Sequence, residues 1–466
     1  LIHPHVYSAN RLDRLPLSPF HWRLLWLIGA GIYLDNFDLT LGSSVSSALL
    51  KAGWSTLNLN ALFGTLTFAG LTIGALVAGI LGDRYGRRFS YQINLAIFGF
   101  ASLIAALVPD MHWLSVTRFF MGLGLGAEIA ISYGMLSEFI PPQYRGKLLA
   151  LLCFFSGLAA FSSSFISLWV IPYVSWRWLF ALAGVAAWVL WIMRKSLPES
   201  PRWLESQGRH AEAEAVLSRI ESEIGKLVPL PDYSRAAPVV LPPASISILY
   251  SRDVIFRTMT GCLILITIGY SVYGLLNWLP TFFVTQGFDI VKSLTWITVM
   301  GAGAPVGCLI GALISDRVGR RPAIIASCLT TAALGMAYQH VTTPSALLSI
   351  GFCLVASIYV LGAVGQAAYV PELFATPYRL RGSAVCGTAG RLASAGCQFF
   401  VLWLFTVGGV TMVLYSVVAL QLLLALTVWL SRIETTGKQL EKSESDHFNA
   451  SPGAISSTLA GQTDQA

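Results

Sequence analysis

Gly79-Ile80-Leu81-Gly82-Asp83-Arg84-Tyr85-Gly86-Arg87-Arg88 follows the second long apolar run of this chain. Its charged end returns as Asp316-Arg317-Val318-Gly319-Arg320-Arg321, again after a second apolar run, this time of the other half. A further echo sets Glu138 and Arg145-Gly146 beside Glu372, Arg379 and Arg381-Gly382. Matches at corresponding places mark an internal repeat and predict two parallel halves related by an axis along a membrane normal. A bilayer-spanning helix needs about 20 apolar residues. Such runs lie near 23–47, 60–82, 90–109, 112–137, 147–171 and 176–195, and again near 255–285, 293–315, 322–341, 344–370, 382–406 and 409–431. They predict an all-α membrane protein of twelve transmembrane helices in two pseudo-symmetric six-helix bundles.

The expected organisation is an N-terminal stretch 1–22, a first bundle 23–195, a polar central loop 196–253, a second bundle 254–431 and a tail 432–466. The central loop holds a charged helical pattern near 200–224, then a Pro-rich run, 229–243, expected to be an extended connector. The tail, rich in Ser, Gly and Gln, is expected to be disordered. No cleavable signal peptide is evident, and the first apolar run is long enough to be a true first span.

Composition agrees with a membrane protein. Of 466 residues 55% are apolar and 11% charged, against about 25% charged in soluble domains. The surplus apolar surface must face lipid. The net charge of +7 sits in short loops, not in a basic groove with interleaved aromatics, which argues against nucleic acid. The seven cysteines lie in apolar segments with no C-x-x-C pair, so neither a disulfide framework nor a metal site is expected. No cofactor, P-loop or hydrolase constellation is present in the sequence, and an enzyme is not expected. Basic loops fall on the side of the N-terminus, and the opposite loops hold little beyond Lys51, Arg177 and Lys292. The positive-inside rule then places both termini and the central loop in the cytoplasm of a bacterial inner membrane protein.

The motif Gly79-x-x-x-Asp83-Arg84-x-Gly86-Arg87-Arg88 resembles the signature loop of the major facilitator superfamily, and the resemblance covers about residues 20–431. The second copy has Ala312 where the first glycine would stand. The resemblance implies a gating role for Asp83, Arg84, Gly86, Arg87, Arg88, Asp316, Arg317, Arg320 and Arg321, with Glu138, Arg145, Glu372 and Arg379 joining that network. Simple anchoring of topology is an equally compatible role. Arg118-x-x-x-Gly122-x-Gly124-x-Gly126 resembles the superfamily's fourth-helix motif. It lacks dinucleotide-loop spacing, and its small residues suit close helix approach. The run Pro198-Glu199-Ser200-Pro201-Arg202-Trp203-Leu204 resembles the loop after helix six in sugar porters and organic-ion transporters. Helix seven, Gly269 to Pro280, lacks the paired glutamines of sugar porters and is more similar to bacterial niacin transporters. Asp35-x-x-Asp38 resembles both niacin and aromatic-acid proton symporters, and Gly126-Ala127-Glu128 resembles the niacin group, which has an acid there.

A charge near the bilayer centre costs at least about 2.5–3.5 kcal/mol on insertion scales. Asp35 and Asp38, at i and i+3, share a helix face that must look into the protein. Two carboxylates sharing a low-dielectric site cannot both stay ionised cheaply, so one is suited to bind and release a proton. The resemblance pairs Asp38 with Arg118; protonation of Asp38 is then expected to free the pair and permit the conformational switch, and a permanent salt bridge holding two helices is the plainer alternative. Glu128 is a second candidate proton site, a substrate contact, or a buried structural acid. Arg391 stands where similar organic-anion transporters carry an arginine, and its planar guanidinium suits a carboxylate; a structural pair with Glu372 or with a helix end is the alternative. Tyr33, Tyr270, Tyr273, Asn277 and Trp278 are the candidate cavity residues, with Tyr273 and Asn277 one turn apart.

The function expected from these residues is proton-coupled import of a small organic anion by a monomer using alternating access. An aromatic monocarboxylate such as nicotinate is the preferred substrate. The proton gradient is the driving force, and lipid and protons are the partners. A facilitator or exporter, a sugar porter and a non-transporting receptor remain alternatives.

Overall fold

The computed structural model describes residues 6–232, 246–341, 343–374 and 378–435. Most of the Pro-rich connector and the tail beyond 435 lie outside the described residues, as do the side chains of Arg145 and Asp316. A short helix, α1 (Ser8–Asp13), precedes six long ones: α2 (Pro19–Lys51), α3 (Leu57–Tyr85), α4 (Arg87–Ala105), α5 (Met111–Phe139), α6 (Pro142–Tyr173) and α7 (Trp176–Arg194). Two polar helices follow, α8 (Pro201–Ser206) and α9 (His210–Gly225). The second half runs through α10 (Arg252–Gly269), a π segment (Tyr270–Leu276) and α11 (Leu279–Thr285), then α12 (Ile290–Gly301), α13 (Gly303–Arg317) and α14 (Arg320–Tyr338). It ends with α15 (Pro344–Leu361), a second π segment (Gly362–Tyr369), α16 (Val370–Glu372) and α17 (Arg379–Ser431).

Among the described residues, eight helical stretches are long and apolar enough to cross a membrane. One of them, within α17, is broken at Gly408 and Gly409, where Gly409 takes φ 65°. Tyr270 packs its ring on Phe400 and bonds its hydroxyl to Ser416 at 2.5 Å, on either side of that break, so the chain turns back there. Three further helices of at least 19 residues, α4, α5 and α14, complete a pattern consistent with twelve crossings. Their outer faces carry large exposed apolar side chains such as Phe100, Trp113 and Leu329, as lipid contact requires.

The repeat in the sequence is a repeat in space. Gly86 and Gly319 adopt the same backbone, φ 104° and 103° with ψ 158° and 154°, a region effectively restricted to glycine. In the first half α3 and α5 pack with almost no side chain between them: a Cβ on Gly70, Gly74, Gly122 or Gly126 would stand 2.0–2.3 Å from a backbone carbonyl oxygen of the other helix. In the second half Gly303 and Gly307 of α13 approach α15 in the same way, at 2.4 and 2.2 Å from the carbonyls of Phe352 and Ala356. Small residues at these positions replace side-chain packing by backbone contact.

The polar segments outside the bundle are bolted together. The Glu205 carboxylate accepts the amides of Val6, Tyr7 and Ser8 at 3.0–3.1 Å and the Ser8 hydroxyl. Arg11 pairs with Glu214 and Glu221, Arg14 with Glu221, and Arg202 with Asp13. Burial pushes the Glu205 carboxyl up, but the Ser8 hydroxyl and the amides of Ser8, Tyr7 and Val6 outweigh it and hold it below its ordinary value. Docking through Glu205 is therefore complete above the ordinary carboxylate range, about pH 4.3, and is lost as pH falls through the lowered value. We expect Glu205→Gln to speed amide hydrogen exchange at Val6–Ser8 near neutral pH, and acidification to do the same to the wild type. Equal protection of those amides in variant and wild type would rule this out.

Candidate functional site

The first helix of the bundle carries the two acids picked out above. Asp35 and Asp38 are both buried, at 2% and 0% exposure. Arg118 of α5 donates to Asp38 Oδ2 at 2.6 Å and to the Asp38 carbonyl at 3.4 Å, and its Nε reaches Thr67 Oγ1 at 3.3 Å. The rings of Phe63 and Phe180 lie 4.9 and 5.9 Å from the guanidinium. The structure thus brings together the pair that the resemblance implied. Gly42 makes room for it, since a Cβ there would sit 2.6 Å from Arg118 Nη2.

A second buried pair was not anticipated. Glu128 accepts Arg194 Nη1 at 2.8 Å and Nη2 at 2.5 Å. Arg194 also donates to the carbonyls of Leu27 and Ile28, at 3.0 and 3.3 Å, which ties the end of α7 to α2 and α5. Ser132 donates to Glu128, and the Tyr91 ring lies 4.7 Å from the guanidinium. Of the three roles open to Glu128 in the sequence, the buried structural acid is the one this ion pair matches. Gly31 is the matching gap in α2: its Cβ would stand 1.9 Å from Arg194 Nη2 and 2.0 Å from Glu128 Oε1. Asp35, between these two pairs along α2, has a buried Oδ2 with no hydrogen-bond partner.

Between the halves lies a cavity of about 170 Å³. Its wall combines Ile32, Asn36, Leu39, Phe68 and Tyr133 of the first half with Ile268, Tyr273, Tyr359, Gln366, Arg391 and Ser394 of the second. Arg391 is the one charged side chain among the described residues that line it. Hydrogen bonds join the halves from Ser43 to the Asn277 carbonyl at 2.5 Å and from Thr65 to the Ala395 carbonyl at 3.2 Å, toward the end remote from the basic loops. The π segments contribute Val272 and Tyr273, and Gly362, Ala363 and Gln366, in keeping with the concentration of π turns at functional sites.

Of the predicted cavity residues, Arg391 and Tyr273 line this space, and four do not. Tyr33 bonds Ser162 at 2.6 Å and stacks on Phe37. Tyr270 is taken by Ser416, and the Trp278 indole donates to Gln398 at 2.8 Å. Asn277 and Trp278 line a smaller void of about 40 Å³ that also touches Arg118. The expected shared face of Tyr273 and Asn277 is not formed: the helix ends at Leu276, and Asn277, in the turn before α11, lines a different void. Asn36 and Gln366 were missed; a neutral amide inside an apolar run is their only sequence signal.

At the basic-loop end the two copies of the motif form matching networks. Asp83 pairs with Arg87 at 2.6 Å, and Arg87 lies 3.7 Å from Glu138. In the second copy Arg320 meets Glu372 at 2.5 Å, so Glu372 is engaged there and not with Arg391. Glu199 accepts the amides of Arg87 and Arg88 at 2.9 and 3.2 Å. Glu434 accepts those of Arg320 and Arg321 at 3.2 Å each. Glu434 falls in the stretch expected to be tail; Arg432–Thr435 is instead held by these bonds and by Thr435 Oγ1 on Glu372. Arg88 and Arg321 cap helix ends at the carbonyls of Lys195 and Trp429, both at 2.7 Å. Arg379 donates to the Phe374 carbonyl, while Arg84 and Arg317 are exposed.

Comparison with known proteins agrees with this architecture. Residues 25–447 match the family model described as sugar (and other) transporter. The chain is 37% identical over 438 residues to the inner membrane metabolite transport protein YdjE of Escherichia coli, covering 93% of this chain and 97% of that one. It is 29% identical over 436 residues to the niacin transporter NiaP of Acinetobacter baylyi, covering 93% and 98%. Among solved structures, the proton:xylose symporter XylE superposes with a TM-score of 0.70 at 20% identity, over 91% of this chain and 98% of that one. A duplicated bundle, paired charges in its interior and a cavity between its halves accompany these matches: the chain is a membrane transporter, not an enzyme, and belongs to the sugar (and other) transporter family of the major facilitator superfamily.

Proposed function

We propose that this transporter imports a small organic anion together with protons, and that its substrate is an aromatic monocarboxylate of the nicotinate type. The carrying observation is the cavity wall: aromatic and aliphatic over most of its area, with Arg391 as its charged group among the described residues. No hydrogen bond or ion pair from another described residue occupies that guanidinium. A carboxylate is the partner its planar fork fits best. A dry cavity of about 150 Å³ accommodates one benzene ring, so about 170 Å³ suits a single ring with its acid group. The similarity to a niacin transporter supports the same class. Proton coupling is assigned to the acids of α2 and α5 with Arg118, and the two basic-loop networks serve as gates. Loop charge orients both termini and the central loop toward the cytoplasm of a bacterial inner membrane. The protein works as a monomer, with no cofactor, and rocks its bundles about the central site.

A thermal-shift panel on the detergent-purified full chain tests the substrate class. Nicotinate, benzoate, 4-hydroxybenzoate, nicotinamide and glucose are compared at matched concentrations. A ligand at a hundred times its dissociation constant stabilises by about 2.7 kcal/mol. We expect the aromatic acids to raise the melting temperature and nicotinamide and glucose not to. Arg391→Ala should abolish that shift, and Arg391→Lys should reduce it by about tenfold in affinity, because charge is kept and the fork is lost. A response to glucose alone would point to a sugar porter instead.

A further inference from the structure

Most of the cavity wall is apolar, and its polar groups are divided between the halves. Arg391, which can only donate, stands on α17 of the second half. From the first half Asn36, Tyr133, Cys153 and Ser156 reach the wall. Two of these four engage each other: the Tyr133 hydroxyl and Cys153 Sγ lie 3.5 Å apart. Ser156 carries a hydroxyl, which turns to donate or to accept and so selects neither kind of partner. Asn36 differs, because its amide is held in place.

The cavity positions of α2 are Ile32, Asn36 and Leu39, a stripe along one helix face. Asn36 Nδ2 donates to the Ile32 carbonyl, one turn back, at 2.9 Å. The flipped amide would set its oxygen against that carbonyl, acceptor to acceptor, so the bond settles which end is which. Oδ1 is left as an acceptor to which none of the described residues donates. An amide oxygen withdrawn from water without a donor is costly. A ligand that fills the cavity and expels its water therefore either supplies that donor or loses affinity for lack of it.

We propose that Asn36 is the second recognition group of the site and reads a hydrogen-bond donor on the ring, so that the preferred substrates are aromatic monocarboxylates bearing a hydroxyl or amino group. This rests on the anion reading above and narrows it. The carboxylate takes the Arg391 guanidinium, the ring donor takes Asn36 Oδ1, and no covalent bond changes. One ligand is then held from α17 and from α2 at once, which joins the two halves across the cavity. A ring ending in a methyl group leaves Oδ1 without a donor.

The test is direct binding to the purified full chain at a single pH. It compares 3- and 4-hydroxybenzoate and 3- and 4-aminobenzoate with the 3- and 4-methylbenzoates of similar shape. Without a partner a methyl group is buried more readily than a hydroxyl or an amine, so a preference for the latter requires an acceptor in the wall. We expect at least one donor-bearing isomer to bind about threefold to tenfold tighter than its methyl counterpart, the worth of one neutral hydrogen bond. In Asn36→Leu that ratio should fall to parity or reverse. The ratio is taken within each protein, so a general loss of affinity cancels, and Asn36→Ala serves in the same way should the leucine form not fold. Equal binding of donor-bearing and methyl isomers by the wild type, or a preference that persists in these variants, overturns the assignment and leaves the anion reading standing. Nicotinate bound more tightly than benzoate by the wild type but not by Asn36→Leu would show the amide donating to a ring nitrogen, which overturns it too. If no aromatic acid binds the wild type, the anion reading fails and this inference with it.

Discussion

Arg194→Met should leave little monodisperse protein after solubilisation, although residue 194 touches neither the cavity nor the gate loops. The substitution keeps length and apolar packing while removing both donors to Glu128 and the bonds to the Leu27 and Ile28 carbonyls. Breaking a buried pair from one side costs about 3–5 kcal/mol, because the other charge is left stranded. Replacing both partners by apolar groups is often neutral, so Glu128→Met combined with Arg194→Met should recover much of the loss. The measurement is size-exclusion profile and melting temperature for both singles and the double. If the Arg194 single melts like the wild type, the pair is not what joins α7 to α2 and α5.

Gly126→Val should be as damaging, for a steric reason. A Cβ at Gly126 would stand 2.0 Å from the Leu71 carbonyl oxygen and 2.9 Å from the Ala75 nitrogen, both backbone atoms that cannot swing aside. The helices α3 and α5 would have to part by about 1 Å or more along a contact also formed at Gly70, Gly74 and Gly122, which is beyond ordinary overpacking of about 1–3 kcal/mol. Gly134→Ala is the internal comparison: it lies on the same helix, nothing stands within 4 Å of its Cβ, and its melting temperature should barely move. Comparable losses in the two variants would show that the close approach at the α3–α5 crossing is not what decides.

The places where sequence and structure part follow from what each position reports. The Asp83 and Asp316 loops were legible because a repeated glycine in a glycine-only backbone region leaves an unmistakable residue pattern. The Asp38–Arg118 pair was legible because two charges inside apolar runs have few partners to choose from. Arg194 was hidden for the opposite reason. It closes an apolar run beside Lys195, where a basic residue ordinarily anchors a helix end at the membrane surface, and only the gap at Gly31 betrays it. Facing was the other casualty. Regular helical spacing put Tyr273 and Asn277 on one side, but the helix stops at Leu276, and Asn277 faces a different void from the turn beyond it. Glu434 was unreadable because a single acid at the head of a polar tail carries no periodicity.

Glu199 and Glu434 hold equivalent places in the two halves. Each follows the last helix of its half, and each closes the loop that follows the second helix of the same half. Each half thus carries its own fastening: six helices followed by an acid that closes the loop after that half's second helix. The central stretch continues downstream of the first acid and the tail downstream of the second, so a change of length in either leaves both fastenings in place.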